Sequence, residues 1–528
     1  MNLENINLKE TGSFSPFFID YINGKDTLKP FYGLPPEIGN FQKQINQKEF
    51  SKSNREVLAS VLSQQYEGLG ISDEVKNNIN SLKNDGTFTI TTGHQLNICT
   101  GPVYFLYKIV TVINICKKLK QQYPKNDFVP VYWMATEDHD LEEINHFFLF
   151  GEKVEWNTDQ TGPVGRMDPR SMDSVFEKLP EKGEFFREAY QNSETLADAV
   201  RLYVNELFGD QGLVVIDADN AQLKSLFKEV VKDDVLNHNA NRLVEETSAK
   251  LNGMGYKTQV FPREINFFYL ENGHRDRIVE KDGNFKVNGR GINFSQDEIS
   301  DLIETNPEKF SPNVILRPLY QEIILPNLAY IGGPAEVIYW LQLKPVFDHY
   351  KTPFPILMPR NFALIIPRHV MRKVNKVGVS IDRFFQPLDQ IKKNFIVENT
   401  DKEIHVTEEI KHIKVIFDTV REKATEVDKT LNGYVGAEES KTLKSLENIE
   451  KRIKKSEERN QEVAIKQIEN VKGKLFPNGN LQERHDNFLN FYVNNPDFIN
   501  QLLDSFDPFS YTFHVMKEAE VEEATPAG

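Results

Sequence analysis

The chain has 528 residues, more than one core usually holds, and its 39% hydrophobic and 27% charged content is ordinary for a globular protein. Its net charge of -15, from 63 basic and 78 acidic residues, argues against a general nucleic-acid binder, which needs a basic face to neutralise phosphates. A local basic pocket stays compatible with that balance.

The only two cysteines, Cys99 and Cys116, are too few for a disulfide-built secreted chain and form no Cys-x-x-Cys pair. The start, Met1-Asn2-Leu3-Glu4-Asn5, lacks the basic and then apolar pattern of a signal peptide, so a cytoplasmic protein is expected. The most apolar stretch, Val103 to Leu119, carries Lys108, Lys117 and Lys118 and is too short for a bilayer, so no membrane partner is expected.

Residues 1–85 read as a mixed helix and loop segment, interrupted by Pro30, Gly33, Pro35 and Pro36. An α/β core is expected over 86–380. Thr87-Phe88-Thr89-Ile90-Thr91 is a β-branched and aromatic run, hence a strand, which Gly93 ends. Gly101-Pro102 opens a helix that reaches Leu119, apolar on most faces and therefore packed against a sheet. Phe128 to Ala135 is a second, nearly all apolar strand, as in the centre of a parallel sheet, and the two strands and helix make a right-handed βαβ unit. Gly212 to Asp217 is a third strand and Phe354 to Met358 a later one. Segments at about 150–205 and 255–310 read as polar, loop-rich insertions. Val314 to Tyr350 is core-like, with Gly332-Gly333-Pro334 leading into a helix.

Over 381–516 the pattern changes to a helical coiled-coil domain. Val406, Ile410, Ile413, Phe417, Val420, Ala424, Val427 and Leu431 alternate spacings of four and three, the signature of a coiled-coil seam. Asn432-Gly433 and Gly436 break it, and a second helix, from about Glu438 to Lys474, should lie antiparallel to the first. The first seam is richer than its looser hairpin partner can cover, which points to a two-fold dimer. Residues 517–528 are acidic and small, and disorder is expected there.

In open parallel sheets, ligands bind beyond the carboxyl ends of the strands. Two polar clusters fall there. In Thr91-Thr92-Gly93-His94-Gln95, followed by Thr100-Gly101-Pro102, backbone N–H groups from Gly101 to Tyr104 would offer an anion site at a helix start. His94 would add a donor. Alternatively, Gly93 makes a turn and His94 and Gln95 satisfy loop hydrogen bonds. The second cluster is Glu137-Asp138-His139-Asp140, with Asn145 and His146 nearby. Crowded carboxylates and an imidazole need a cation, an amine or donors to compensate them, a common route to a metal site or a tuned base. The alternative is a helix N-terminus decorated with acids. Arg317, Gln321 and Glu322 lie around a possible fourth strand, and Tyr330 to Glu336 reads either as a ligand loop or as a steric double glycine. Asp217 and Asp219 read as caps. No GxxxxGK[ST], GxGxxG or GxSxG motif occurs.

Thr92-Gly93-His94-Gln95 with Thr100 to Tyr104, Val129 through Asp140, Arg317-Pro318, Leu325 through Pro334 and Leu475 through Arg484 together resemble the BshC family of cysteine ligases, in order over most of the chain. The resemblance implies an α/β fold with a Rossmann-like parallel-sheet core, two connecting insertions and a C-terminal antiparallel α-helical coiled-coil hairpin that makes a homodimer. It implies addition of L-cysteine to glucosaminyl malate in the last step of bacillithiol biosynthesis. On this reading His94, Gln95, Asp138 and His139 are catalytic. Thr92, Gly93, Thr100, Gly101, Tyr104, Glu137, Asp140, Arg317, Gln321, Gly332 and Gly333 bind substrates, and no metal ligand is assigned. Amide formation needs an activated carboxylate, so ATP or ADP is the expected cofactor. Gly-His-Gln looks like the HIGH-type element of class I synthetases, with Gln95 in place of Ile. No KMSKS-like loop accompanies it, and Arg368, Arg372, Lys373 and Lys376 do not match one, which leaves nucleotide use open. Two other readings are a metal-dependent hydrolase built on Glu137, Asp138, His139 and His94, and a coiled-coil scaffold whose core only binds a nucleotide.

Overall fold

A computed structural model describes residues 1–271, 273–400 and 404–518. Two compact units divide the chain: Met1–Leu364 with Asn480–Met516, and Ile365–Gly479 with the residues from Lys517. Residues 480–516, expected in the helical domain, therefore belong to the first unit. The expected disordered tail lies outside the described residues beyond Glu518.

The first unit is built on a five-stranded parallel sheet: β1 (Thr87–His94), β2 (Asp127–Met134), β3 (Val214–Asp217), β4 (Asn327–Gly332) and β5 (Ile356–Pro359). Their spatial order is β5-β4-β1-β2-β3. Strand order reverses between β1 and β4, so the topological switch point lies at their carboxyl ends. Gly93 does not end β1, which continues to His94 in register with Met134. Helix α1 (Tyr104–Gln122) is buried on nearly every face because the sheet covers one side and the helix Phe498–Ser505 another. Phe88, Ile90, Val112, Ile115, Leu119, Leu328 and Ile356 form the core between sheet and helix, each such side chain contributing roughly 1.5–3 kcal/mol on burial.

Three expectations are refined or corrected. Arg317, Gln321 and Glu322 lie on a helix, α2 (Arg317–Ile324), that leads into β4, where Asn327 donates to Glu322 at 2.6 Å, and Pro318 fits the first turn of that helix. The segment at 255–310 is no loop region: Phe267–Glu271, His274–Lys281, Asn284–Val287, Asn293–Phe294 and Phe310–Pro312 make an antiparallel sheet. Its strands alternate buried and exposed positions and so lack the continuous apolar run of β2. The segment at 150–205 holds the helices Glu184–Gln191 and Leu196–Phe208. In the N-terminal segment Asn2–Asn7 is a strand paired with Thr512–Lys517.

In the second unit α4 (Thr407–Val427) and α5 (Leu431–Asn460) pack side by side and antiparallel. The Val406 N–H donates to Glu450 at 3.2 Å near one end, and Arg421 pairs with Glu439 near the other. (Helix α3 is Pro334–Trp340, in the first unit.) The turn falls at Asp428, whose carboxylate accepts from the Thr430 N–H and hydroxyl, both at 2.8 Å. Asn432, Gly433 and Gly436, expected to break the hairpin, lie inside α5. A further helix, α6 (Glu462–Leu475), follows a break at Gln461.

Candidate active site

At the switch point the ends of β1, β2 and β4, α2 and the inserted sheet enclose a cavity of about 530 Å³. Lys108, Arg275, Arg317, Arg360 and Arg484 line it against Asp138, Glu143 and Glu336, so an acidic chain encloses a cation-rich cleft. The cations gather at two ends.

At one end Asp138 accepts from Arg317 through two bonds, at 3.0 and 2.8 Å, from Gln95 at 2.8 Å, and lies 3.2 Å from Arg275. Burial raises its pKa, but Arg317 and Arg275 more than reverse this and hold the carboxyl well below the usual range. Burial pushes the Arg275 guanidinium down to about 10 against the pull of Asp138. At the other end Tyr104 lies under two guanidinium groups, Arg360 at 5.1 Å and Arg484 at 5.8 Å from its ring centre. Arg360 is held by Glu483 at 2.6 Å, both groups being buried.

His94 lines the cavity, is buried, and its Nε2 has no hydrogen-bond partner. Its ring packs edge-on against Tyr104. Burial, then the charges of Lys108 and Arg360, hold its pKa well below the ordinary value, so the imidazole is neutral near pH 7. Gly93 beside it gives its carbonyl to Lys108 at 2.8 Å, and a Cβ there would meet the Tyr330 hydroxyl at 3.4 Å. Tyr104, Gln95, Arg317, Gln321 and Gly333 also line the cavity, as expected of them.

Other expected residues do not. The Thr92 hydroxyl is buried and donates to the Ile331 carbonyl at 2.8 Å. Gly332 is packed so that a Cβ would lie 3.0 Å from that of Glu336. Thr100 and Gly101 sit in a left-handed loop with Cys99, whose Cys99 and Gly101 carbonyls accept from Asn487 at 2.8 and 2.6 Å. Gly101 is required there, since φ is +62° and a Cβ would lie 2.6 Å from that of Asn97. Of the N–H groups expected to offer an anion site at this helix start, Val103 donates to the Asp486 carbonyl at 2.8 Å and Gly101 to the Ile98 carbonyl at 2.9 Å.

The acidic cluster splits. Glu137 is buried against Lys224 at 2.5 Å, and Lys224 also binds Asp219 at 3.0 Å. His139 is exposed outside the cavity, 3.1 Å from Arg275. Asp140 caps the short helix Leu141–Ile144. Glu137 thus pairs with Lys224 while Asp138 and His139 share the Arg275 guanidinium, and the three do not converge as metal ligands. Among the described residues His238, Glu264 and Glu280 are close enough together for a cation, and none lines the cavity. Asp217 caps its strand end, accepting from Thr136 at 2.5 Å and the Asp219 N–H at 2.9 Å, while Asp219 serves the Lys224 pair.

Lys108, Arg275, Arg360 and Arg484 were not legible as site residues. Lys108 had one usable signal, a charge inside an otherwise apolar helix, and Arg360 another, following the apolar strand β5. Nothing local marked Arg275.

Residues 1–361 match the family described as Bacillithiol biosynthesis BshC, N-terminal Rossmann-like domain, and residues 363–518 match its C-terminal coiled-coil domain. The chain is 44% identical to a Flavobacterium psychrophilum protein named "Putative cysteine ligase BshC", over 97% of this chain and 99% of that one. Proteins of the same name from Cytophaga hutchinsonii and Christiangramia forsetii are 39% and 41% identical, each over 97% of this chain and 98% of the relative.

Proposed function

Because this chain belongs to the BshC family of bacillithiol biosynthesis, we propose that it is a ligase that joins L-cysteine to the amine of glucosaminyl malate in the final step of that pathway. The observation that carries the reading is His94, a buried neutral imidazole that lines a cation-rich cleft and whose Nε2 has no hydrogen-bond partner.

Amide formation requires an unprotonated amine, and the acceptor's amine is largely an ammonium near neutral pH. Once the free amine attacks the activated carboxyl its nitrogen becomes far more acidic, and the neutral imidazole of His94 is the group that takes that proton. Asp138, expected to share the task, is a poor base because four donor contacts already stabilise its ionised form. Its role in this reading is to aim Arg317 at a substrate carboxylate, such as those of the malyl group. Arg275 and Arg317 at one end, and Arg360 and Arg484 at the other, give anionic groups two separate seats. ATP would supply the activation of the cysteine carboxyl. With the Gly101 and Val103 N–H groups engaged, its phosphates would be held by Arg360 and Arg484. The enzyme would work in the cytoplasm as a homodimer joined through its coiled-coil hairpin; among the described residues no helix is long and apolar enough to cross a membrane.

Deleting the gene in its own bacterium and profiling low-molecular-weight thiols tests this. Bacillithiol should vanish and glucosaminyl malate accumulate, with restoration by the wild-type gene and not by H94A. An unchanged thiol profile would remove the ligase reading, and full restoration by H94A would remove the base.

A further inference from the structure

Between Phe105 and Leu119 helix α1 is almost wholly buried, yet Lys108 stands in the middle of it at 2% exposure. A buried ammonium is unfavourable unless partners replace its water. Two do so here: the Gly93 carbonyl at 2.8 Å and Glu336 at 2.6 Å. Glu336 in turn accepts from the Tyr330 hydroxyl at 2.8 Å and the Gly333 N–H at 2.7 Å. These contacts join α1, the end of β1, the end of β4 and the start of α3, which are both banks of the switch-point crevice. A neutral amide could hold the same elements together at a smaller desolvation cost. The charge has another use, because the clasp closes one residue from the cavity's unpartnered imidazole.

We propose that Lys108 is a positioning residue for His94: clasped by Gly93 and Glu336, it fixes the end of β1 that carries the imidazole and sets an ammonium paired to Glu336 in the same cavity wall, which holds His94 in place as a proton acceptor. The inference rests on the base role given to His94 above. The groups packed around that ring are consistent with it. Tyr104 and Phe105 of α1 pack against the ring, and Lys108 of α1, Arg360 after β5, Tyr330 of β4 and Glu336 of α3 line the same cavity. The nearby carboxylate, Glu336, is already engaged by Lys108, Tyr330 and Gly333. Burial, Lys108 and Arg360 all oppose a charged His94.

The test is an NMR titration of the His94 imidazole in the full chain. In K108M the ring should titrate at higher pH than in wild type, toward the ordinary imidazole value, while K108R keeps the wild-type behaviour. The double variant K108M/E336Q removes both charges and covers the case in which K108M fails to fold. In the deletion strain, K108M should lower bacillithiol by about tenfold or more, as expected when a base is no longer held in place, and K108R should restore it. An unmoved His94 midpoint in folded K108M, or in K108M/E336Q where K108M does not fold, would overturn the proposal. The midpoint needs no substrate, so it judges Lys108 separately from the ligase reading, which H94A complementation judges.

Discussion

The carboxylate of Asp138 is the best-provided polar group in the cleft, with two bonds from Arg317, one from Gln95 and an ion pair to Arg275. Its folded pKa lies below its ordinary value, so it adds stability that is present above the unfolded value, near pH 4, and lost as pH falls through the folded one. D138N should therefore destabilise the protein at neutral pH by about 3 kcal/mol, because Arg275 and Arg317 lose a buried partner. The gap between wild type and D138N in urea unfolding should narrow below about pH 4. A gap of constant size across that range would show that Asp138 is not the ionised anchor described above. His94 is the opposite case. It has no partner to lose at Nε2, which is the condition of a group kept for a substrate.

At the scale of elements, the hairpin illustrates how glycine misleads. Gly433 and Gly436 suggested the turn, yet Asp428 makes it, through an Asx-type bond to Thr430 that a periodicity argument does not weigh. Both glycines have helical neighbours and open space where a Cβ would stand. G433A and G436A should each stabilise the hairpin by about 0.5–1 kcal/mol in thermal unfolding followed by circular dichroism. Destabilisation by either would mean that the chain needs glycine there after all. The inserted antiparallel sheet went unread for a related reason. Its strands are short and half-exposed, so their apolar count is that of a loop, and only pairing with neighbours makes them a sheet.

For the whole molecule, the seam of α4 is only partly satisfied by α5. Of its positions Ile413 and Phe417 are half-buried inside the hairpin, whereas Val420 and Val427 stay exposed at 45% and 84%, and off the seam Val415 and Ile416 are exposed at 63% and 55%. Tyr434 and Ile449 of α5 are exposed as well. A run of apolar residues on one hairpin matches the proposed two-fold contact. I416D combined with V420D should convert a dimer to a monomer in light scattering while helicity is kept. An unchanged mass would rule out this stripe as the interface.

Strand β2, helix α1, the seam of α4 and the family resemblance were all legible in the chain itself. Each rests on patterns repeated within a few residues, and hydrophobic periodicity reports those directly. His94 and Asp138 were legible as candidates because polar residues directly after buried strands stand out. Their roles were not. Asp138 meets Arg317 at a separation of 179 residues, Arg360 meets Glu483 at 123, and the loop before α1 is closed by Asn487 from 386 residues away. Whether a carboxylate is a base or an anchor depends on which charges surround it, and whether a helix start binds an anion depends on which carbonyl reaches it first. Both are decided by partners that the chain brings together only when it folds, and so by the tertiary structure alone.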